Sequence, residues 1–134
     1  MEIRFIKVYV KNQDEALAIY TSKLGCTKKA DLAMGTSGPG RIRFLTVEPA
    51  GSTNKVQIIL EKIGNDITRQ FVEAQYADGD PAYSINTDDI VRDLATLKTN
   101  GVTVVDEPSD IGPAIFATID DGCGHYVYLV QSKS

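Results

Sequence analysis

The sequence predicts an α+β fold built from two βαβββ modules that curl a mixed sheet around a cleft. Three observations predict it. The segment Ile6–Gly25, IKVYVKNQDEALAIYTSKLG, reads as a buried strand running into a capped amphipathic helix. The same layout returns at Ala82–Gly101, AYSINTDDIVRDLATLKTNG. Three strand-like stretches then follow each helix, so the two halves agree in element order. At 134 residues the chain holds one domain with a real core and not two independent ones. The expected organisation is therefore a single domain, residues 1–134, of two modules. Residues 1–78 form the first with a linker helix, and residues 79–134 form the second.

The first strand lies within Glu2–Val10, where Ile6, Val8 and Val10 point one way and Phe5, Lys7 and Tyr9 the other. Asn12 precedes Glu15 by three residues, a capping box that starts a helix carrying Ala16, Ile19, Tyr20 and Leu24. Gly25 stands where a left-handed residue stops that helix. Residues 27–34 form a weak strand, and TSGPG at 36–40 a loop that does not match a phosphate-binding pattern. Arg41–Val47 is a strand ended by Pro49 and the GSTN turn at 51–54. Lys55–Glu61 follows as a buried strand with Val56, Ile58 and Leu60 on one face. Asn65–Ala77 reads as a connecting helix with Ile67, Phe71 and Ala74 on one side. DGDP at 78–81 is the hinge between modules.

The second module opens at Ala82 with an alternating strand. A helix starting near Thr87 and Asp88 uses Ile90, Val91, Leu94 and Leu97 and ends at Gly101. Strands are expected at Val102–Asp106, Ala114–Ile119 and Tyr126–Gln131. Pro108, the IGP turn at 111–113 and the DDGCG turn at 120–124 separate them, and the terminal SKS is expected to fray.

A net charge of −4 gives no basic excess for phosphate neutralisation, so no nucleic-acid partner is expected. No apolar run approaches membrane-spanning length and no secretory n- and h-region is read at the start, so the expectation is a soluble cytoplasmic protein. The two cysteines, Cys26 and Cys123, lack metal-ligand or redox spacing and read as reduced thiols. Neither has a histidine nearby suited to nucleophilic catalysis, and no serine elbow is present.

Four segments resemble the vicinal-oxygen-chelate superfamily of glyoxalases, extradiol dioxygenases, fosfomycin-resistance and bleomycin-resistance proteins. They are VYVKNQDEALAIYTSKLG at 8–25, NTDDIVRDLATLKTNGV at 86–102, DEPSDIG at 106–112 and DDGCGHYVYLVQ at 120–131. In the last, Gly122 and Cys123 stand where the family commonly has proline and aspartate. The resemblance implies the two-module fold and, in metal-dependent members, four His or Glu ligands on four strands that chelate adjacent substrate oxygens. Those positions fall here on Phe5, Gln57, Ala82 and Tyr128. None is a credible metal ligand, and a one-residue shift brings no carboxylate or imidazole. No metal and no cofactor is therefore expected. A different metal site would draw on His125, Asp120, Asp121 and Glu61. The plainer alternative is that the aspartates cap a turn and His125 is a surface or sheet-edge residue.

Strand alternation names a cleft lining. Its candidate ligand-binding residues are Phe5, Tyr9, Gln57, Glu61, Ser84, Asn86 and Tyr128. Glu61 suits a cationic ligand group, and Tyr9 and Tyr128 suit stacking on a flat ring. Arg41 and Arg43 read as strand charges that protect an edge. The leading expectation, by resemblance to the bleomycin-resistance branch, is a metal-free, non-enzymatic homodimer that binds and sequesters a drug or metabolite. The alternative is a glyoxalase-like lyase or isomerase, or a dioxygenase, with a non-standard site. A third reading is a partner domain whose cleft is filled by Phe5, Tyr9 and Tyr128.

Overall fold

The computed structural model describes residues 1–35 and 42–133. The expected loop at 36–40, Arg41 and Ser134 lie outside the described residues. Two compact units divide the chain, Met1–Gly64 and Asn65–Ser134. The first contains β1 (Phe5–Val10), α1 (Gln13–Ser22), β2 (Cys26–Met34), β3 (Ile42–Pro49) and β4 (Gln57–Lys62). The second contains α2 (Asp66–Ala77), β5 (Tyr83–Asn86), α3 (Ile90–Thr99), β6 (Thr103–Asp110), β7 (Ala114–Asp120) and β8 (Tyr126–Ser132). The linker helix α2 lies in the second of these units.

Each unit carries a four-stranded mixed sheet of one topology, β1-β4-β3-β2 in the first and β5-β8-β7-β6 in the second. In each, the strand before the helix pairs in parallel with the last strand, and the other pairings are antiparallel. The fold class is α+β with two βαβββ modules, as the sequence predicts.

In the first unit Val8, Val10, Ile58, Leu60, Leu45 and Val47 are buried, and Ala16 and Tyr20 of α1 are buried with them. Tyr20, Leu45 and Leu60 have no exposed surface, and burial of each such side chain stabilises the fold by roughly 1.5–3 kcal/mol. Asn12 caps α1 by accepting from the Glu15 N–H at 2.9 Å. Gly25, at φ 75°, turns the chain into β2. In the second unit Ile90 and Leu94 of α3 pack with Ala117 and Leu129, and Ile85, Leu97, Val104 and Ile115 border that cluster.

Ile67, Phe71 and Ala74 lie on one side of α2, and that side is exposed. The buried side instead follows Val72 and Tyr76, because the Tyr76 ring stacks on Tyr126 at 4.5 Å and its hydroxyl donates to Asp120 Oδ2 at 2.5 Å. A ring with a satisfied polar tip takes the inward stripe. On α3, Val91 faces solvent while Ile90 and Leu94 are inward. Finally, β6 runs through Pro108 to Asp110 and does not end at Asp106. It is an edge strand with register shifts on either side of Asp106, and an edge tolerates a missing N–H donor.

Candidate functional site

The first unit leaves one face of its sheet uncovered by α1. The parallel register sets Phe5 beside Gln57, Lys7 beside Ile59 and Tyr9 beside Glu61. The four expected residues Phe5, Tyr9, Gln57 and Glu61 therefore share this face. Phe5 meets Phe44 edge-on with ring centroids 5.7 Å apart, and remains 43% exposed. Lys7 Nζ lies 3.0 Å from Glu61 Oε2 and 5.9 Å from the centre of the Tyr9 ring. The hydrogen bond to Glu61, then its charge, holds the Lys7 ammonium above its ordinary pKa. The Glu61 charge is already matched, so a cationic ligand has to displace Lys7.

Gln57 is held by a neighbour. The hydroxyl of fully buried Thr46 donates to Gln57 Oε1 at 2.7 Å. That bond fixes the carboxamide and leaves its nitrogen as the donor of the group. Phe44 was missed as a lining residue, and Thr46 as the buried group that fixes Gln57. The signal was present in β3, where Phe44 and Thr46 alternate with buried Leu45 and Val47. The arginine on the other face, Arg43, grips Asp31 and Asp14 at 2.8 and 2.7 Å, so it ties β3 to β2 and α1. Near the end of β2 and β3, a small cleft of about 180 Å³ is lined by Thr27, Lys29, Glu48, Ser52 and Lys55 among others. Glu48 there is 3.6 Å from Lys29 and 3.8 Å from Lys55, so its charges pair internally.

In the second unit, Ser84 pairs with Tyr128 and Asn86 with Val130 along β5 and β8. Ser84 and Asn86 are exposed, and Tyr128 is 39% exposed with its ring stacked on Phe116 at 5.4 Å. Phe116 was also missed. Phe5 and Tyr128 keep open surface.

The turn after β7 overturns one expectation. Asp120 and Asp121 do cap it, accepting from the N–H groups of Gly122 and Cys123 at 2.8 and 2.7 Å. His125, however, is 3% exposed and not a surface residue. Its Nδ1 sits 2.8 Å from Asp121 Oδ2, while Asp121 Oδ1 accepts the His125 N–H at 3.1 Å. Burial demands such a partner for each polar atom, and Asp121 supplies it twice.

The family's metal positions do not fit a metal. Phe5 and Ala82 have no donor atom, the Gln57 oxygen is engaged by Thr46, and Tyr128 packs on Phe116. Among the described residues no group of three His, Cys, Asp or Glu side chains is arranged to hold an ion.

The chain matches the family model for the Glyoxalase/Bleomycin resistance protein/Dioxygenase superfamily over residues 2–129. It is 31% identical over 131 residues to YurT of Bacillus subtilis (strain 168), an uncharacterized protein, covering 98% of this chain and 99% of that one. The crystal structure of UcmS2 is similar, with TM-score 0.80, 26% identity and 97% of each chain covered. TnmS3, an antibiotic binding protein from Streptomyces sp. CB03234, shares the fold at TM-score 0.74 and 24% identity, with 99% of this chain and 97% of that one covered. With the same βαβββ order in both units and a match from residue 2 to residue 129, the chain belongs to the Glyoxalase/Bleomycin resistance protein/Dioxygenase superfamily.

Proposed function

We propose that this protein binds a small molecule with a flat apolar part, without a metal, and acts by sequestering it. The observation that carries the reading is the open sheet face of the first unit. It offers the Phe5–Phe44 ring pair, the Tyr9 ring, a charge-neutral Lys7–Glu61 pair and a carboxamide fixed by Thr46. Aromatic surface with a few oriented polar groups is the usual makeup of a small-ligand site. Ser84, Asn86 and Tyr128 are proposed as ligand contacts on the second unit's own sheet face. The antibiotic-binding TnmS3 has the same fold, which supports the reading. The proposed working form is a homodimer in the cytoplasm. The compartment is in keeping with two cysteines that are not joined in a disulfide.

The test has two arms. Metal analysis of purified protein should find no stoichiometric zinc, nickel, manganese or iron. Tyrosine fluorescence, usable because the chain has no tryptophan, should be quenched by planar aromatic compounds in a saturable way. Replacing Phe5 or Tyr9 with alanine should weaken that binding by about 5–30-fold, the loss of one aromatic anchor. A tightly bound stoichiometric metal, or metal-dependent turnover of a hemithioacetal or catechol that is lost in Glu61→Gln, would overturn the proposal in favour of an enzyme.

A further inference from the structure

The cleft where β2 begins and β3 ends holds one buried carboxylate between two lysines. Glu48 pairs with Thr27 in the ladder and follows Thr46 by two positions, so it lies on the open face of the first sheet. Its side chain is nevertheless only 8% exposed. A carboxylate so buried calls for hydrogen-bond donors. The ammonium groups that face it, Lys29 Nζ at 3.6 Å and Lys55 Nζ at 3.8 Å, match its charge but stand beyond hydrogen-bonding distance. They also outnumber it, so the cleft carries one positive charge in excess.

Both lysines are placed by departures from regular backbone. The register between β2 and β3 shifts between Lys28 and Ala30, which leaves Lys29 outside the ladder. Irregularities of this kind re-aim a side chain, often beside a site. Lys55 has a φ of 62°, a left-handed position that glycine or asparagine would meet at less cost. The turn holds it there. Arg4 Nη1 donates to the Lys55 carbonyl at 3.4 Å, and Asn54 Oδ1 accepts the Val56 N–H at 3.1 Å. Neither glycine nor asparagine would bring an ammonium to Glu48. One lysine in regular backbone is enough to balance one carboxylate, so charge balance alone does not account for the second lysine or for either irregularity.

We propose that this cleft binds the head of a small α-amino acid as a zwitterion. The ligand ammonium donates to Glu48, and the ligand carboxylate accepts from Lys29 and Lys55. The two lysine side chains, 44% and 65% exposed, have room to turn from Glu48 to the ligand. A plain anion is repelled by Glu48 and a plain cation by the lysines, whereas a zwitterion meets both signs at once. The cleft volume of about 180 Å³ equals roughly six waters at about 30 Å³ each, which suits an amino acid with a short side chain. The inference is independent of sequestration on the Phe5 and Tyr9 surface, and either can fail without the other.

Titration calorimetry of the full chain with L-alanine, L-serine, acetate, ethylamine and inorganic phosphate tests it. The expected result is saturable binding of both amino acids with a dissociation constant between about 10 µM and 1 mM. Acetate and ethylamine should bind at least about 10-fold more weakly, because each offers one of the two charges. Backbone amide NMR should place the shifts at Thr27, Glu48 and Ser52. Glu48→Gln removes the anion, and Lys55→Asn removes an ammonium while keeping a side chain tolerant of positive φ. Each should weaken amino-acid binding about 10-fold or more, as should Lys29→Gln at its exposed position, with circular dichroism confirming that each variant is folded. No binding of either amino acid at about 10 mM, acetate or phosphate binding as tightly as L-alanine, or an unchanged affinity in folded Lys29→Gln and Lys55→Asn would overturn the proposal.

Discussion

Asp121 shows how one buried side chain organises a turn. One carboxylate oxygen accepts the Cys123 and His125 N–H groups, and the other meets His125 Nδ1. Asp121→Ala removes three contacts at once, two of them to buried His125, and should cost about 2–4 kcal/mol in urea unfolding, as the loss of a buried hydrogen-bond network does. Asp121→Asn, which keeps an acceptor oxygen, should cost less. Exposed pairs behave differently. The Arg43 hydrogen bonds hold the Asp31 carboxyl below its usual 3.8, and Lys133 does the same for Asp110. A lowered folded pKa means that the contribution is complete above the unfolded value and is lost as pH falls through the folded one. Stability measured from pH 7 downward should therefore hold to about pH 4 and then fall, with a shallower acid limb in Arg43→Gln. Cys26 is another residue set by its surroundings. Burial pushes its thiol up to about 12, so it should resist thiol reagents at pH 8 while Cys123 reacts first.

At the scale of elements, the helix boundaries follow from local chemistry. Asn12, Asn65 and Asp89 each accept a backbone N–H three residues on, which is why α1, α2 and α3 begin where they do. Gly25 and Gly101, at φ 75° and 90°, turn the chain out of α1 and α3. No atom lies within 4 Å of a side chain added at Gly25, so the cost of a substitution there is one of backbone strain alone. Gly25→Ala should lower stability by about 1–2 kcal/mol, and Gly25→Asn by less, as thermal unfolding would show. Helix faces were harder to read. Two apolar stripes compete on α2, and periodicity does not rank Ile67 and Phe71 against Val72 and Tyr76. The stacking partner Tyr126 and the acceptor Asp120, both from distant sequence, decide it.

For the whole molecule, each unit has its own buried cluster, centred on Leu45 and Leu60 in the first and on Ile90 and Leu94 in the second. The expectation of one domain predicts a single cooperative transition. Leu60→Ala and Leu94→Ala should each cost about 2–5 kcal/mol and lower the same calorimetric transition. Two separable transitions, each moved by only one of the variants, would mean that the units fold independently.

The sequence alone determined the fold class, the order of strands and helices and the side chains on the open sheet faces, because alternation, caps and left-handed glycines are local properties of the chain. It also showed that Phe5, Gln57, Ala82 and Tyr128 hold no metal-ligand set, since that depends only on residue chemistry at aligned positions. Tertiary structure decided what those side chains do. Lys7 neutralises Glu61, Thr46 fixes Gln57, Asp121 draws His125 inside, and Tyr76 turns Phe71 outward. Each outcome depends on a partner whose distance in space, and not in sequence, sets the energy of the contact.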